Sequence, residues 1–278
     1  MGRKKKPEVS EKQLLTSLKT LAEDNEDIVK SGIDFNDAFL LAFLRGRKYN
    51  LNVAYETIQK YVHVRKRKYV EFFSQLTPES LMYMYDMPRF MAILKHRDPT
   101  TGCLVGVLRP NRVEIGALLR KPFEDVLACC TLAADELIYV DDAIKNGLIL
   151  VASGEGFGMT HFREISPNRI KTALDIMFHA YPFKVKQVHV VQCSAFVNTT
   201  IKIVMPFIPR KIRKRMIIHN TLETFHEFFE PNVIPSWLGG NRREEEDWEV
   251  YDYYFDRAAL DHTEYYETLA KKLAEGID

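Results

Sequence analysis

Two stretches of the chain hold side chains at spacings that chemistry could use. Gly154-Glu155-Gly156-Phe157-Gly158 follows an apolar run, as the phosphate-cradling loop of a dinucleotide site does. The fingerprint G-x-G-x-x-G would put its third glycine at position 159, which is Met159, and no helix starts until Ser166-Pro167. The loop therefore reads as a structural turn. Ser153 is not centred in G-x-S-x-G, and His161, His179, His189 and His219 show neither H-E-x-x-H nor paired-ligand spacing. These histidines read as hydrogen-bonded structural residues. No catalytic group, metal or cofactor is expected.

The second stretch runs from Lys184 to Asn220. Arg210, Lys211, Arg213, Lys214 and Arg215 put five cations into six positions, and Lys184 and Lys186 alternate at the start of a strand. Lys211 and Arg215 are i and i+4, so one helical turn would aim both at one anion. Cations this close repel, and a bound phosphate relieves the repulsion. A nuclear-localisation or RNA patch competes with this reading. No interleaved aromatics accompany the cluster for base stacking, so a nucleic-acid partner is not expected. Near an anionic leaflet each exposed cation contributes about 1 kcal/mol, so a handful recruits a protein reversibly.

Just before the cluster, the spacing of Phe196, Val197, Ile201, Ile203, Val204, Met205, Phe207 and Ile208 predicts a helix that is apolar over too much of its girth. Its apolar arc is roughly 200°, against about 100° for an ordinary surface helix. Periodicity leaves two readings open, a central core helix or a lid over a cavity. Pro206 should kink or end this helix, which suits a hinged cover.

The bulk numbers bound the rest. The chain has 278 residues, 46% apolar and 28% charged, with a net charge of +1, so nothing commits the whole molecule to nucleic acid or membrane. No run of about eighteen apolar residues predicts a membrane span. The start lacks a signal-peptide core, and Lys6 stands where myristoylation wants Ser or Thr. Cys103, Cys129, Cys130 and Cys193 read as small buried hydrophobes in a reducing compartment, which makes the cytoplasm the default.

The elements that must position these residues are readable from period and caps. Residues 1–9 are expected to be disordered. Helices follow from Glu11 to Glu23, after Asp34 or Asn36, and after Asn50 or Asn52. The third ends in Arg65-Lys66-Arg67-Lys68, which taken alone reads as a solvated basic helix end. Pro99-Thr100-Thr101-Gly102 predicts a hairpin turn, and Pro122 opens a long helix. Leu148–Ala152 reads as a central parallel strand, Ser166-Pro167 starts an amphipathic helix, and Val188–Val191 gives the next strand. Strand, helix, strand implies a right-handed βαβ unit.

Two sets of residues carry a family resemblance. Phe43-Leu44-Arg45-Gly46-Arg47, Tyr49 and Ala54 resemble the N-terminal helical module of CRAL-TRIO proteins. Arg97-Asp98-Pro99-Thr100, Asp135-Glu136-Leu137, Asn146-Gly147, Glu155-Gly156, Ile165-Ser166-Pro167, Tyr181-Pro182-Phe183-Lys184-Val185-Lys186, Pro206-Phe207-Ile208, Lys211-Ile212, Arg215, His219-Asn220 and Leu238-Gly239-Gly240 are similar to the lipid-binding domain. The group matched is that of tocopherol-transfer and retinaldehyde-binding proteins.

The resemblance implies an α/β fold. A three-to-four-helix module (residues 1–75) would precede a lipid-binding domain (76–245) with a mostly parallel sheet and an apolar pocket under a lid helix. A tail (246–278), expected to be helical, would follow. It implies a monomeric cytoplasmic carrier, not an enzyme, that binds one hydrophobic ligand and exchanges it at phosphoinositide-containing membranes. The alternative is a membrane-lipid-sensing interaction module without cargo.

By the same resemblance the pocket is lined by Cys129, Ala133, Leu137, Leu150, Ala152, Ile165, Ile176, Tyr181, Phe183, Val188, Val190, Phe196, Thr200 and Val204. Lys184, Lys186, Lys211, Arg213 and Arg215 would meet phosphoinositides, and Phe196, Val197, Ile201, Ile203 and Met205 would form the lid. The chain departs from the group at Ser153-Gly154-Glu155-Gly156-Phe157, where Asp-Leu-Glu-Gly-Trp is usual, and at Cys129 and Phe183, where the tocopherol carrier has Ser and Leu.

Overall fold

A computed structural model describes residues 10–85, 87–113, 121–232, 234–241 and 258–276. Residues 1–9, expected to be disordered, and residues 246–257 and 277–278 of the tail expected to be helical lie outside the described residues.

The N-terminal third is helical, and side chains set its starts. Ser10 caps α1 (Glu11–Glu23) in a capping box with Gln13, Asn25 caps α2 (Glu26–Val29), Asn36 caps α3 (Asp37–Gly46) and Asn50 caps α4 (Leu51–His63). After α4 the chain does not fray into a solvated basic end. It continues as a π-helical segment, Val64–Lys68, and then α5 (Val70–Phe73). Aromatic rings tie these helices to the body of the protein. Phe39–Phe43, Phe43–Tyr61, Tyr61–Tyr181 and Tyr181–Phe183 follow one another at centroid distances of 4.7, 5.8, 5.7 and 5.1 Å.

The body is built on a five-stranded sheet of order β1-β2-β3-β4-β5, with α6 (Met82–Tyr85) leading into it. β1 (Met91–Ile93) and β2 (Leu104–Leu108) pair antiparallel around the Asp98–Gly102 turn, as Pro99-Thr100-Thr101-Gly102 predicts. β2, β3 (Leu148–Ser153), β4 (Val185–Val191) and β5 (Met216–Ile218) are parallel.

Each parallel step moves one strand in the same direction. Right-handed crossovers therefore place every connecting helix on one face. These are α7 (Pro122–Glu136) and α8 (Asp141–Lys145), then α9 (Met159–Arg163) and α10 (Pro167–His179), then α11 (Ala195–Val204) and α12 (Arg210–Arg213).

Side chains divide accordingly. Leu104 and Leu148 join the core shared with α7 and the N-terminal helices. Their neighbours Val105, Val107, Ile149 and Val151 point the other way. There they meet Phe225 of α13 (Leu222–His226) together with Phe229, Ile234 and Leu238. The last helix, α14 (Thr263–Ala274), buries Tyr266, Leu269, Ala270 and Leu273 against the N-terminal helices.

Candidate functional site: an apolar sheet face beside a cation cluster

The register places Leu150 beside Val188 and Ala152 beside Val190, all four pointing to the crossover face. All four are only half-buried, although the strands around them are covered on both sides. The facing helices repeat this. Ile170, Ala173, Leu174 and Met177 on α10 are half-buried, as are Phe196, Ile201 and Val204 on α11. A filled core would bury such stripes completely. This face therefore leaves a stripe of apolar side chains partly uncovered.

The residues expected to line a pocket fall into two groups. Leu150, Ala152, Ile165, Val188, Val190, Phe196, Val204 and Ala133 are half-buried, and most lie on or near this face. Cys129, Leu137, Ile176, Tyr181 and Phe183 instead pack in the closed core shared with the N-terminal helices. Thr200 is buried on α11. Burial pushes the Cys129 thiol up, and that of Cys130 up to about 12, which disfavours the thiolate of each. A separate apolar cleft of about 150 Å³ opens between Leu108, Phe123, Val126, Phe157 and Ile165. Of the expected pocket residues, Ile165 alone lines it.

α11 starts on the Ser194 cap and ends at Val204. Met205–Phe207 continues it as a 3-10 turn that contains Pro206. Phe196 packs 6.3 Å from Phe157 and 6.0 Å from Phe162, and Val197 is buried. One turn from the far end the cover is missing. Ile203 and Phe207 are 51% and 47% exposed. Phe196 and Ile203 share a helix face, so this difference comes from α9 sheltering only the first of them.

Three of the five expected cations, Lys184, Lys186 and Lys211, lie near one another. Lys184, although exposed, is pushed below the usual lysine range by partial desolvation and then by Lys48, Arg47, Lys186 and Lys211 around it. Among the described residues no carboxylate pairs with Lys48, Lys184, Lys186, Lys211 or Arg213, which are all exposed. The expected convergence of Lys211 and Arg215 on one helical turn does not form. α12 stops at Arg213, and Arg215 is half-buried with its Nη1 donating to the Val185 carbonyl. Arg215 holds the strand start in place, and Lys211 faces solvent.

Known proteins share much of this sequence. A model described as "CRAL/TRIO domain" matches residues 89–240, more than half of the chain. The chain belongs to this family. It is 29% identical over 210 residues to "Alpha-tocopherol transfer protein-like" of Mus musculus, covering 75% of this chain and 60% of that protein. It is 26% identical over 206 residues to "Clavesin-1" of Xenopus laevis, covering 74% and 61%. The chain thus spans about 60% of the length of the curated relatives it matches. The crystal structure of Sfh5 overlays with a TM-score of 0.49 and 10% identity, covering 93% of this chain and 98% of its own.

Two residues N-terminal to the matched domain escape a reading by spacing. Arg65 is fully buried. Its Nη2 bonds the Asp135 carboxylate and lies 3.0 Å from the Tyr181 hydroxyl, and Asp135 also accepts from Tyr61 and Tyr181 at 2.8 Å each. Burial alone would lower the Arg65 pKa, yet Asp135, Tyr61 and Tyr181 hold it above the ordinary value. A basic run is a poor guide to one inward-turned arginine.

Lys48 is the other omission. It sits at φ 54°, in the left-handed region, between α3 and α4. Arg47 beside it donates to the carbonyls of Tyr181 and Pro182 at 2.6 Å each. A Cβ on Gly46 would stand 2.3 Å from the Pro182 oxygen, so only glycine allows this approach. Among the described residues no helix is long and apolar enough to cross a membrane, and no His/Cys/Asp/Glu group could hold a metal ion.

Proposed function

We propose that the chain is a non-catalytic cytoplasmic carrier that holds one small hydrophobic molecule, of tocopherol, retinoid or carotenoid kind, against the β3–β4 face. In this reading α11 is the cover, and Ile203 and Phe207 are the edge that enters a membrane. Lys184, Lys186 and Lys211, with Lys48 beside them, grip phosphoinositide headgroups and set the mouth against the bilayer. The observation that carries the proposal is the cation group without carboxylate partners next to an apolar helix that exposes Ile203 and Phe207. Membership of the CRAL/TRIO family and similarity to a tocopherol-transfer-like relative support it.

The test separates binding from delivery. Lys184→Ala with Lys211→Ala removes two cations, about 2 kcal/mol at an anionic surface, or roughly thirtyfold in affinity. Binding to phosphoinositide vesicles, and transfer of a fluorescent tocopherol analogue to them, should fall by about that factor, while uptake in solution is unchanged. Equal transfer by variant and wild type overturns the proposal. Organic extraction of purified protein identifies the cargo. A chain that carries no lipid and takes up neither retinoid, tocopherol nor phospholipid is the membrane-sensing module instead.

A further inference from the structure

A second concentration of positive charge lies away from the lid. Lys60 and His63 in the last turn of α4, Arg67 and Lys68 in the π-helical segment, Val64, and Asp175 of α10 line a surface cleft of about 410 Å³. A π turn widens the helix by one residue per turn. Here Arg65 points into the core while Arg67 and Lys68 stay on the rim.

The carboxylates within reach are already engaged. Asp175 takes Lys68 Nζ at 2.6 Å, the Tyr69 hydroxyl at 2.7 Å and Lys171 Nζ at 3.4 Å. Asp27 takes Lys66 Nζ at 3.0 Å and Arg67 Nη2 at 2.8 Å. Glu26, which also feels Lys66, is taken by Lys30, so Lys30, Lys60, Lys66, Arg67, Lys68 and Lys171 are six cations against three carboxylates, which leaves three positive charges over, with His63 beside them. Cations at a helix C-terminus offset the helix dipole, which accounts for their sign. It does not account for four basic side chains lining one concavity in which, among the described residues, Asp175 is the only acid.

We propose that this cleft is a separate anion site, taking a phosphate group of two or more charges from a free phosphate ester or a lipid headgroup. Lys48 and the cleft lie at opposite ends of α4, whose thirteen residues span about 20 Å. One phosphate cannot touch both. α10, which supplies Asp175, also packs against the 3-10 turn that closes α11. A bound anion would therefore pin the N-terminal helices to the element on which the cover rests.

Calorimetric titration of the full chain with inositol 1,4,5-trisphosphate tests this. The wild type should bind two equivalents, one at each cation group. Lys60→Glu with Arg67→Glu should lose one equivalent or weaken it at least tenfold, and Lys184→Ala with Lys211→Ala should lose the other. If charge reversal unfolds the chain, Lys60→Gln with Arg67→Gln gives the same reading. Undiminished binding by the cleft variant, or no binding left once Lys184 and Lys211 are replaced, overturns the proposal. The result stands apart from delivery, because it holds even if vesicle transfer ignores Lys184 and Lys211. Sedimentation with phosphatidylcholine vesicles, with and without phosphatidylinositol bisphosphate, separates the sources. Weakened vesicle binding in the cleft variant marks a lipid headgroup, and unchanged vesicle binding with the soluble site lost marks a free phosphate.

Discussion

Arg65 and Asp135 form a buried ion pair, and its energetics follow from what each group would face alone. The guanidinium lies 3.3 Å from the Tyr61 ring centroid and 4.6 Å from that of Phe73, so it has aromatic faces and one carboxylate but no solvent. Removing only the carboxylate leaves a buried charge uncompensated, which costs about 3–5 kcal/mol. Asp135→Asn should lower stability by that amount in urea denaturation. In a Tyr61→Phe, Tyr181→Phe background, where no hydroxyl loses its acceptor, Arg65→Met combined with Asp135→Leu removes both charges and should cost much less, because it also removes both desolvation penalties. If the double variant is as unstable as the single one, charge is not what the pair contributes. Tyr181 belongs to this network through its hydroxyl. It joins the N-terminal helices to α7, whatever its ring offers to a ligand.

At the scale of elements, the strands around the cation cluster carry a pH-sensitive joint. His189 of β4 and His219 after β5 are buried and stacked, with His189 Nδ1 2.9 Å from His219 Nε2, inside a cage of Phe225, Phe228 and Phe229. That hydrogen bond needs a lone pair on one ring, so the two cannot both be protonated. Burial and then His219 push His189 down to about 4, and burial also lowers His219. Unfolded histidine takes its proton near pH 6.5. Between about 6.5 and 4 the unfolded chain therefore binds more protons, and stability falls as pH falls. The loss at pH 4 from His189 alone is on the order of 3 kcal/mol. His189→Gln should flatten that part of the stability–pH curve, and an unchanged slope would sink the assignment.

The elements themselves were largely legible in the sequence. Ser166-Pro167, Asn36, Asn50 and Pro122 mark helix starts because caps and a proline at the first position act locally. What depends on two distant segments was not. The inward turn of Arg65 requires Asp135, the loss of Arg215 from the cation group requires the Val185 carbonyl, and the arrival of Lys48 requires Arg47 bonded to Tyr181 and Pro182. No periodicity within one helix reports such pairings. The expected pocket was mixed for the same reason, since Ile176 and Val188 both read as apolar but only the second faces uncovered space.

Across the whole molecule, the end of α7 is where three parts of the chain meet. Asp135 faces Arg65 and Tyr61 from the N-terminal helices. The next residue, Glu136, accepts from Tyr266 Oη at 2.8 Å and contacts His262 Nδ1 at 3.1 Å, both near the C-terminus. Consecutive carboxylates on one helix thus bind opposite ends of the sequence. The tail is held further by Leu269 and Leu273 in the core, and by the Lys272 stem, which packs where a Cβ on Gly32 would come within 2.6 Å. A hydroxyl bonded to a buried carboxylate contributes about 1.5–3 kcal/mol. Tyr266→Phe keeps the ring and removes only the Oη donor, so it should cost that much. Because α14 packs on α5, the loss should appear in both segments together. Amide exchange measured residue by residue distinguishes this from general weakening. Faster exchange in α14 and α5, with β2, β3 and β4 unchanged, is the expected pattern. Uniform acceleration, or none, would mean that Glu136 does not hold the tail and that the apolar contacts of Leu269 and Leu273 suffice.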